Sequence, residues 1–227
     1  MNATTQVGTV PVRRLPMWVK VSYTAFMCVL VPFYLYAYGP TNFLYFCDVA
    51  LFLTLAAVWL EISLLASIAA VGILLPQMLW IIDFLVTLCG GRLTGMTAYM
   101  FTDSIPLVAR GISLFHGWLP LLLLWIVNRY GYDRRALPAW TALAWVLMLV
   151  SYFLLPPPPA PKDNVNLPVY VNYVFGPGND QAQTWLSPGL YLALLMIGYP
   201  ALLFLPAHLI LLKLFGRRGG AAASSKE

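Results

Sequence analysis

The chain has 227 residues, of which 61% are hydrophobic and only 9% charged, with a net charge of +5. A soluble domain carries roughly a quarter charged residues, so these few cannot clothe a surface that faces water all round. The 13 basic residues lie in short tails and loops without a basic stripe among exposed aromatics, which argues against a nucleic-acid partner.

Apolar stretches of about 20 residues, enough to cross a ~30 Å hydrocarbon core, recur along the sequence and predict an all-α, polytopic integral membrane bundle. Residues 1–16, polar and small with Pro11 and Pro16, read as a disordered cytoplasmic tail. The first span is 17–38 and ends at Gly39-Pro40. It follows Arg13-Arg14 as a signal peptide would, but its length and lack of a small-x-small cleavage site make it a retained anchor. The second span runs over 42–60, and Glu61-Ile62-Ser63 turns the chain back into a third over 64–88. After the Gly90-Gly91-Arg92 break, a loop ends in Asp103-Ser104, which reads as the cap of a continuous fourth span over 105–127. A short charged loop, Tyr132-Asp133-Arg134-Arg135, precedes the fifth span at 138–155. The run Pro156–Pro161 cannot continue a helix and opens a long connecting loop, 156–187. The sixth span covers 189–214, with kinks expected at Pro200 and Pro206, and 216–227 form a second disordered cytoplasmic tail. The transmembrane domain is therefore 17–215.

Six spans place both termini on one side. With that side cytoplasmic, ten basic residues face inward (Arg13, Arg14, Lys20, Arg129, Arg134, Arg135, Lys213, Arg217, Arg218 and Lys226) and three face outward (Arg92, Arg110 and Lys162). That asymmetry satisfies the positive-inside rule, and five or seven spans would spoil it.

This topology gives each intramembrane polar residue a depth. Cys47 and Asp48 on the second span, Asp83 on the third, and Arg110 and His116 on the fourth all fall in the outer half of the bilayer. Gln77, Trp80, Asp83 and Thr87 recur at helical spacing and make one polar-aromatic face. Arg110, Ser113, Gly117 and Pro120 make another, with His116 beside it, and the two faces are expected to meet in the bundle interior. Together with Asn42 they outline a polar pocket. A plainer reading pairs Arg110 with Asp83 or Asp48 as a buried ion pair that sets helix register. His208, near the inner end of the last span, reads as interfacial.

Cys47 and His116 are the minimum set for covalent acyl transfer, the imidazole taking the thiol proton and the thiolate attacking an acyl carbonyl. Asp83 is the candidate orienter of His116, and Asn42, Asp48, Gln77 and Arg110 are candidate substrate contacts, Arg110 for a lipid phosphate or carboxylate. A pocket in the outer leaflet would be reached from the membrane plane, which favours a membrane lipid as substrate. Carrier or proton-relay chemistry through Asp48, Asp83 and His116 is the alternative, and a non-catalytic membrane scaffold a third. Cys28, Cys47 and Cys89 lack metal-ligand spacing, no glycine-rich phosphate loop is present, and no cofactor is implied.

Three short segments carry a resemblance. They are Leu44–Leu53 with its Cys47-Asp48 pair, Phe115-His116-Gly117-Trp118-Leu119-Pro120, and Val171-Asn172-Tyr173-Val174-Phe175 before the last span. Their order is similar to that in the family of phospholipid-remodelling transmembrane acyltransferases and their bacterial relatives. The androgen-induced hydrolases of branched fatty-acid esters resemble it more distantly. The resemblance implies that Cys47 is the nucleophile and His116 its base.

Overall fold

A computed structural model describes residues 14–162, 167–178 and 181–223. The tail expected at 1–16 falls mostly outside these residues, as do 224–227. Among the described residues the chain is helical, with no strand. Its helices are α1 (Met17–Tyr38), α2 (Phe46–Leu60), α3 (Ser63–Leu88), α4 (Leu107–Ser113), α5 (Phe115–Tyr130), α6 (Ala136–Leu154), α7 (Pro188–Tyr199) and α8 (Leu205–Ala223). Five stretches are long and apolar enough to cross a membrane: Met17–Tyr38, Ser63–Leu88, Leu107–Tyr130, Ala136–Leu154 and Pro188–Gly216. The chain is thus a multi-pass membrane protein. At 15 residues α2 is shorter, because Pro40–Leu44 winds as a tighter 3₁₀ turn instead of joining the helix.

Contacts between helix ends sort the bundle into two poles. At one, Lys20 Nζ lies 2.7 Å from Glu61 Oε1, Arg129 donates to the Arg14 carbonyl, and Ser63 donates to the Gly131 carbonyl. Tyr132 and His208 pair there at 2.6 Å, so His208 has a side-chain partner at that pole. The Leu15 amide also bonds Glu61, and Leu15 is buried, so the chain just before α1 is packed against the bundle. The opposite pole gathers the turn at 40–45, the loop at 89–106 and the segment at 167–187. Arg14, Lys20, Arg129 and Arg135 therefore share a pole, and Arg92 and Arg110 belong to the other.

The core is built round α3. Nine consecutive residues, Ala66 to Leu74, are buried, which happens only when a helix is enclosed on every side. It packs on α2, α5, α6 and α8. Small residues make the close approach possible, since van der Waals contact rather than hydrophobicity holds helices together in lipid. Gly72 is the extreme case: a Cβ there would sit inside the indole ring of Trp140 on α6. Trp140 in turn packs edge-on against Phe46 and Phe204, and Phe46 against Tyr199, so one aromatic cluster joins α2, α6 and the last span.

Two spans depart locally from a regular α-helix, the last of them at the prolines where kinks are expected. Leu114 (ψ −9°) breaks the fourth into α4 and α5, because the Gly117 amide bonds the Leu114 carbonyl three residues back rather than that of Ser113. The Asp103 cap is not formed: α4 begins at Leu107 after an extended Pro106, with no side-chain cap bond, and Asp103 sits in the turn before it. In the last span Pro200–Phe204 widens into a π turn, since neither Pro200 nor Pro206 has an N–H to keep the regular ladder. The helix then continues to Ala223, past the boundary expected at 216.

Substitution of Gly72 by Ala is expected to lower the detergent melting temperature through overpacking of about 1–3 kcal/mol. Combining it with Trp140→Leu should recover part of the loss, as read by intrinsic fluorescence on heating.

The Lys20–Glu61 pair gives a pH signature. The hydrogen bond from Lys20 holds the Glu61 carboxyl below its ordinary range, against a smaller opposing effect of burial. A depressed carboxylate pKa stabilises the fold fully above the unfolded pKa and loses that contribution as pH falls through the folded one. The stability difference between wild type and Lys20→Met should therefore be constant from neutral pH down to about 5 and shrink below about 4. Denaturation in detergent at graded pH reads it.

Candidate functional site

The site has to be assembled from the pole that holds Asn42, Cys47, Asp48, Asp83, Arg110 and His116. Asp83 is fully buried at the last turn but one of α3, and both its oxygens are engaged. Oδ1 accepts from the Thr94 amide (2.6 Å), the Thr94 hydroxyl (2.8 Å) and the Gly95 amide (3.0 Å). Oδ2 accepts from the Thr97 amide (2.9 Å) and hydroxyl (2.6 Å). The carboxylate thus folds the loop 94–97 back onto the end of its own helix. It does not orient His116, the role expected of it. Nor does it pair with Arg110, whose Nη1 donates at 3.4 Å to the Met100 carbonyl while Nε is buried without a partner among the described residues.

His116 owes its orientation to the break at Leu114. With the Gly117 amide turned to Leu114, the Ser113 carbonyl is left free, and His116 Nδ1 lies 2.8 Å from it. A carbonyl only accepts, so Nδ1 carries the proton and the Nε2 lone pair of the neutral ring remains available. The ring stacks on Trp80 (centroids 5.0 Å, planes 17° apart), which stacks on Phe84, which stacks on Phe101. The expected polar-aromatic face of α3 is therefore real and meets the fourth span, but through Trp80 and His116 rather than through an ion pair.

Cys47 lies half-buried in the first turn of α2 and is a free thiol. No hydrogen bond joins it to His116 among the described residues. Asp48 beside it is buried, receives the Asn42 amide at 2.8 Å on Oδ2, and leaves Oδ1 unpartnered among the described residues. Gln77, also buried, has partners among the described residues for neither its amide nitrogen nor its oxygen. Of the expected residues, then, Asn42 and Asp48 come together, and Asp83 turns to its loop.

Tyrosines, which the sequence alone does not single out, gather near Cys47. Tyr34 lies beside Ser113 and within electrostatic reach of Asp48 and Cys47. Tyr99 lies beside Ser113 and Trp80 and also within reach of Cys47. Tyr45 and Tyr173 are likewise within electrostatic reach of the thiol. Burial, reinforced by neighbouring Tyr170, Cys47 and Asp83, pushes the Tyr173 hydroxyl up to about 12, so it stays a neutral donor at physiological pH. The sequence signal available was the abundance of tyrosine, 13 residues in the chain, several at the span ends of this pole.

The two cavities described, of about 360 and 370 Å³, lie elsewhere, along α7 and its π turn and between the end of α6 and the segment at 174–188. No cluster of three or more metal-ligating side chains occurs among the described residues. Comparison with family models, with curated proteins and with solved structures finds no match to this chain.

Deleting the Asp83 carboxylate would strand the five donors of Thr94, Gly95 and Thr97, of which the two from Thr97 are buried. Asp83→Ala is expected to cost at least about 3 kcal/mol and to expose the loop, hydrogen bonds to a charged group contributing about 1.5–3 kcal/mol each. Trypsin cleavage after Arg92 in detergent-solubilised protein should accelerate accordingly.

Proposed function

We propose that the protein is a six-span membrane protein, both termini cytoplasmic, that performs acyl transfer or hydrolysis on a membrane lipid. The sixth crossing is α2. Its 15 residues rise about 22 Å. The 3₁₀ turn of five residues before it adds about 10 Å, so the segment reaches the length of a span. The sharing of one pole by Arg14, Lys20, Arg129 and Arg135 supports placing that pole in the cytoplasm.

The observation that carries the chemistry is the tethered His116: its Nδ1 proton is fixed on the Ser113 carbonyl, leaving Nε2 as a base. In this reading Nε2 takes the Cys47 proton, and the thiolate attacks the lipid ester carbon. Hydroxyls from the tyrosines near Cys47, Tyr99 first among them, donate to the oxygen that gains charge. The ester C–O bond then breaks, the leaving alkoxide takes the proton back from His116, and a thioester on Cys47 remains. Water or a second lipid hydroxyl resolves it, deprotonated by the same nitrogen. Arg110, whose buried Nε has no partner among the described residues, receives a phosphate or carboxylate of the substrate in this reading. Asn42, Asp48 and Gln77 line the polar interior that the headgroup side of the substrate would meet. The acyltransferase–hydrolase resemblance agrees with these roles for Cys47 and His116.

A second reading has its own observation. The unpartnered Asp48 Oδ1 and Gln77 amide are what a proton-linked carrier would place along a polar path. A pH-dependent liposome flux lost in Asp48→Asn would favour it.

Purified protein should be labelled on Cys47 by an activated acyl ester. Cys47→Ala is expected to abolish that labelling, and His116→Ala to slow it by a hundredfold or more, the usual scale of a general base. Undiminished labelling in both variants would sink the acyl reading.

A further inference from the structure

The segment before the last span makes one contact set that neither chemistry has used. Asn172 is 3% exposed and sits in the left-handed region (φ 52°, ψ 21°), followed by Tyr173 at φ 59°. Two successive non-glycine residues there are a strained arrangement that its surroundings have to hold in place. What holds it is a two-pronged clamp. The Asn172 side-chain oxygen accepts from the Phe46 amide at 3.0 Å, and its nitrogen donates to the Leu44 carbonyl at 2.8 Å. Its own carbonyl accepts from the Tyr199 hydroxyl at 3.1 Å. Tyr170, two residues earlier, packs edge-on against Tyr45.

The clamp grips the chain where the 3₁₀ turn hands over to α2. Tyr45 is extended there (ψ 139°), and α2 has no side-chain cap of its own. Phe46 N is one of the first-turn amides that a helix leaves without an internal acceptor, and Asn172 supplies that acceptor from 126 residues away. Cys47 is the next residue. The direction in which α2 starts, and hence where the Cys47 sulfur points, depends on a bond made by a residue of another segment. A capping role alone would need just the acceptor; the second bond, to Leu44, fixes the turn on both sides of Tyr45.

We propose that Asn172 is the positioning residue for Cys47: its amide, seated by the Tyr199 hydroxyl, aims the first turn of α2 so that the thiol faces the tyrosine-lined space shared with His116. That Cys47 does acyl chemistry rests on the reading above; that Asn172 sets the thiol's position does not.

The test uses full-length protein in detergent with the exposed cysteines removed (Cys28→Ser, Cys89→Ser), so that Cys47 is the one thiol. Asn172→Gly keeps the left-handed backbone and deletes both clamp bonds. Iodoacetamide alkylation needs no acyl chemistry, and it should accelerate at least fivefold as the turn loosens, while labelling by the activated acyl ester falls at least tenfold. An unchanged alkylation rate overturns the proposal. Faster alkylation in the variant, with no acyl labelling even of the parent protein, supports the positioning role and overturns the acyl reading instead. Asn172→Asp covers the case in which the glycine variant does not fold. Ionised, that carboxylate would still accept from Phe46 but would repel the Leu44 carbonyl. Protonated, it would donate to Leu44 as the amide does. Its alkylation rate should therefore be fast at pH 8 and return toward the parent value as pH is lowered to 5, after correction for the reagent's own pH dependence with a model thiol. A variant that matches the parent across that range overturns the proposal.

Discussion

Inside an apolar slab a polar group has no water to turn to, and that constraint orders this bundle. The cheap solutions are local: Thr24, Thr54, Thr87 and Ser151 each return their hydroxyl to the carbonyl four residues back on their own helix. The costlier ones recruit distant chain. Asp83 collects a loop and Asn172 collects a helix start, whereas the Ser113 carbonyl freed at the helix break is met by His116, three residues on. Each solution of the second kind also fixes a position. Among the described residues, five of the seven buried side-chain atoms without a partner belong to Thr41, Asp48, Gln77 and Arg110, toward the same pole. That concentration is what sets the pole apart from mere packing.

The span layout was legible because hydropathy and chain-breaking residues act locally. Gly39, Gly90 and Gly131 all adopt positive φ at helix ends, and the Glu61 turn is left-handed as a tight reversal requires. The inward faces of α3 and the fourth span were legible from period alone. The partners were not. A carboxylate at helical spacing from a tryptophan and a glutamine says which way it points, not that Thr94 and Thr97 will fold back to meet it from beyond the helix end. The break at Leu114 has no glycine or proline of its own to announce it. It follows from where one amide, that of Gly117, finds its acceptor. Asn172 stood out only through the short resemblance around it, because a residue in a loop carries no period.

Tyrosine was the larger omission. Read one at a time, Tyr34, Tyr45, Tyr99 and Tyr173 look like interfacial aromatics, amphipathic rings at home where apolar meets wet. They come from four separate segments, and only the fold brings them round one thiol. Composition hinted at the number of such rings; convergence needed the third dimension.

The enclosure of α3 has a consequence for how the chain reaches this state. As the protein emerges during synthesis, α3 can pair at once with α2, its neighbour across a two-residue turn, but α5, α6 and α8 all come later. Until they arrive, Ala66, Ala69, Ala70 and Gly72 present small side chains to lipid, a surface smooth enough for hydrocarbon to slide along and too shallow to hold any one neighbour. The helix that ends up most deeply seated is therefore an early one that waits, and the last segment to be made is the one that shuts the assembly. A chain that stops after α6 would carry Cys47 and His116 into the membrane without Asn172 or Tyr173, and would leave its central helix open along one side.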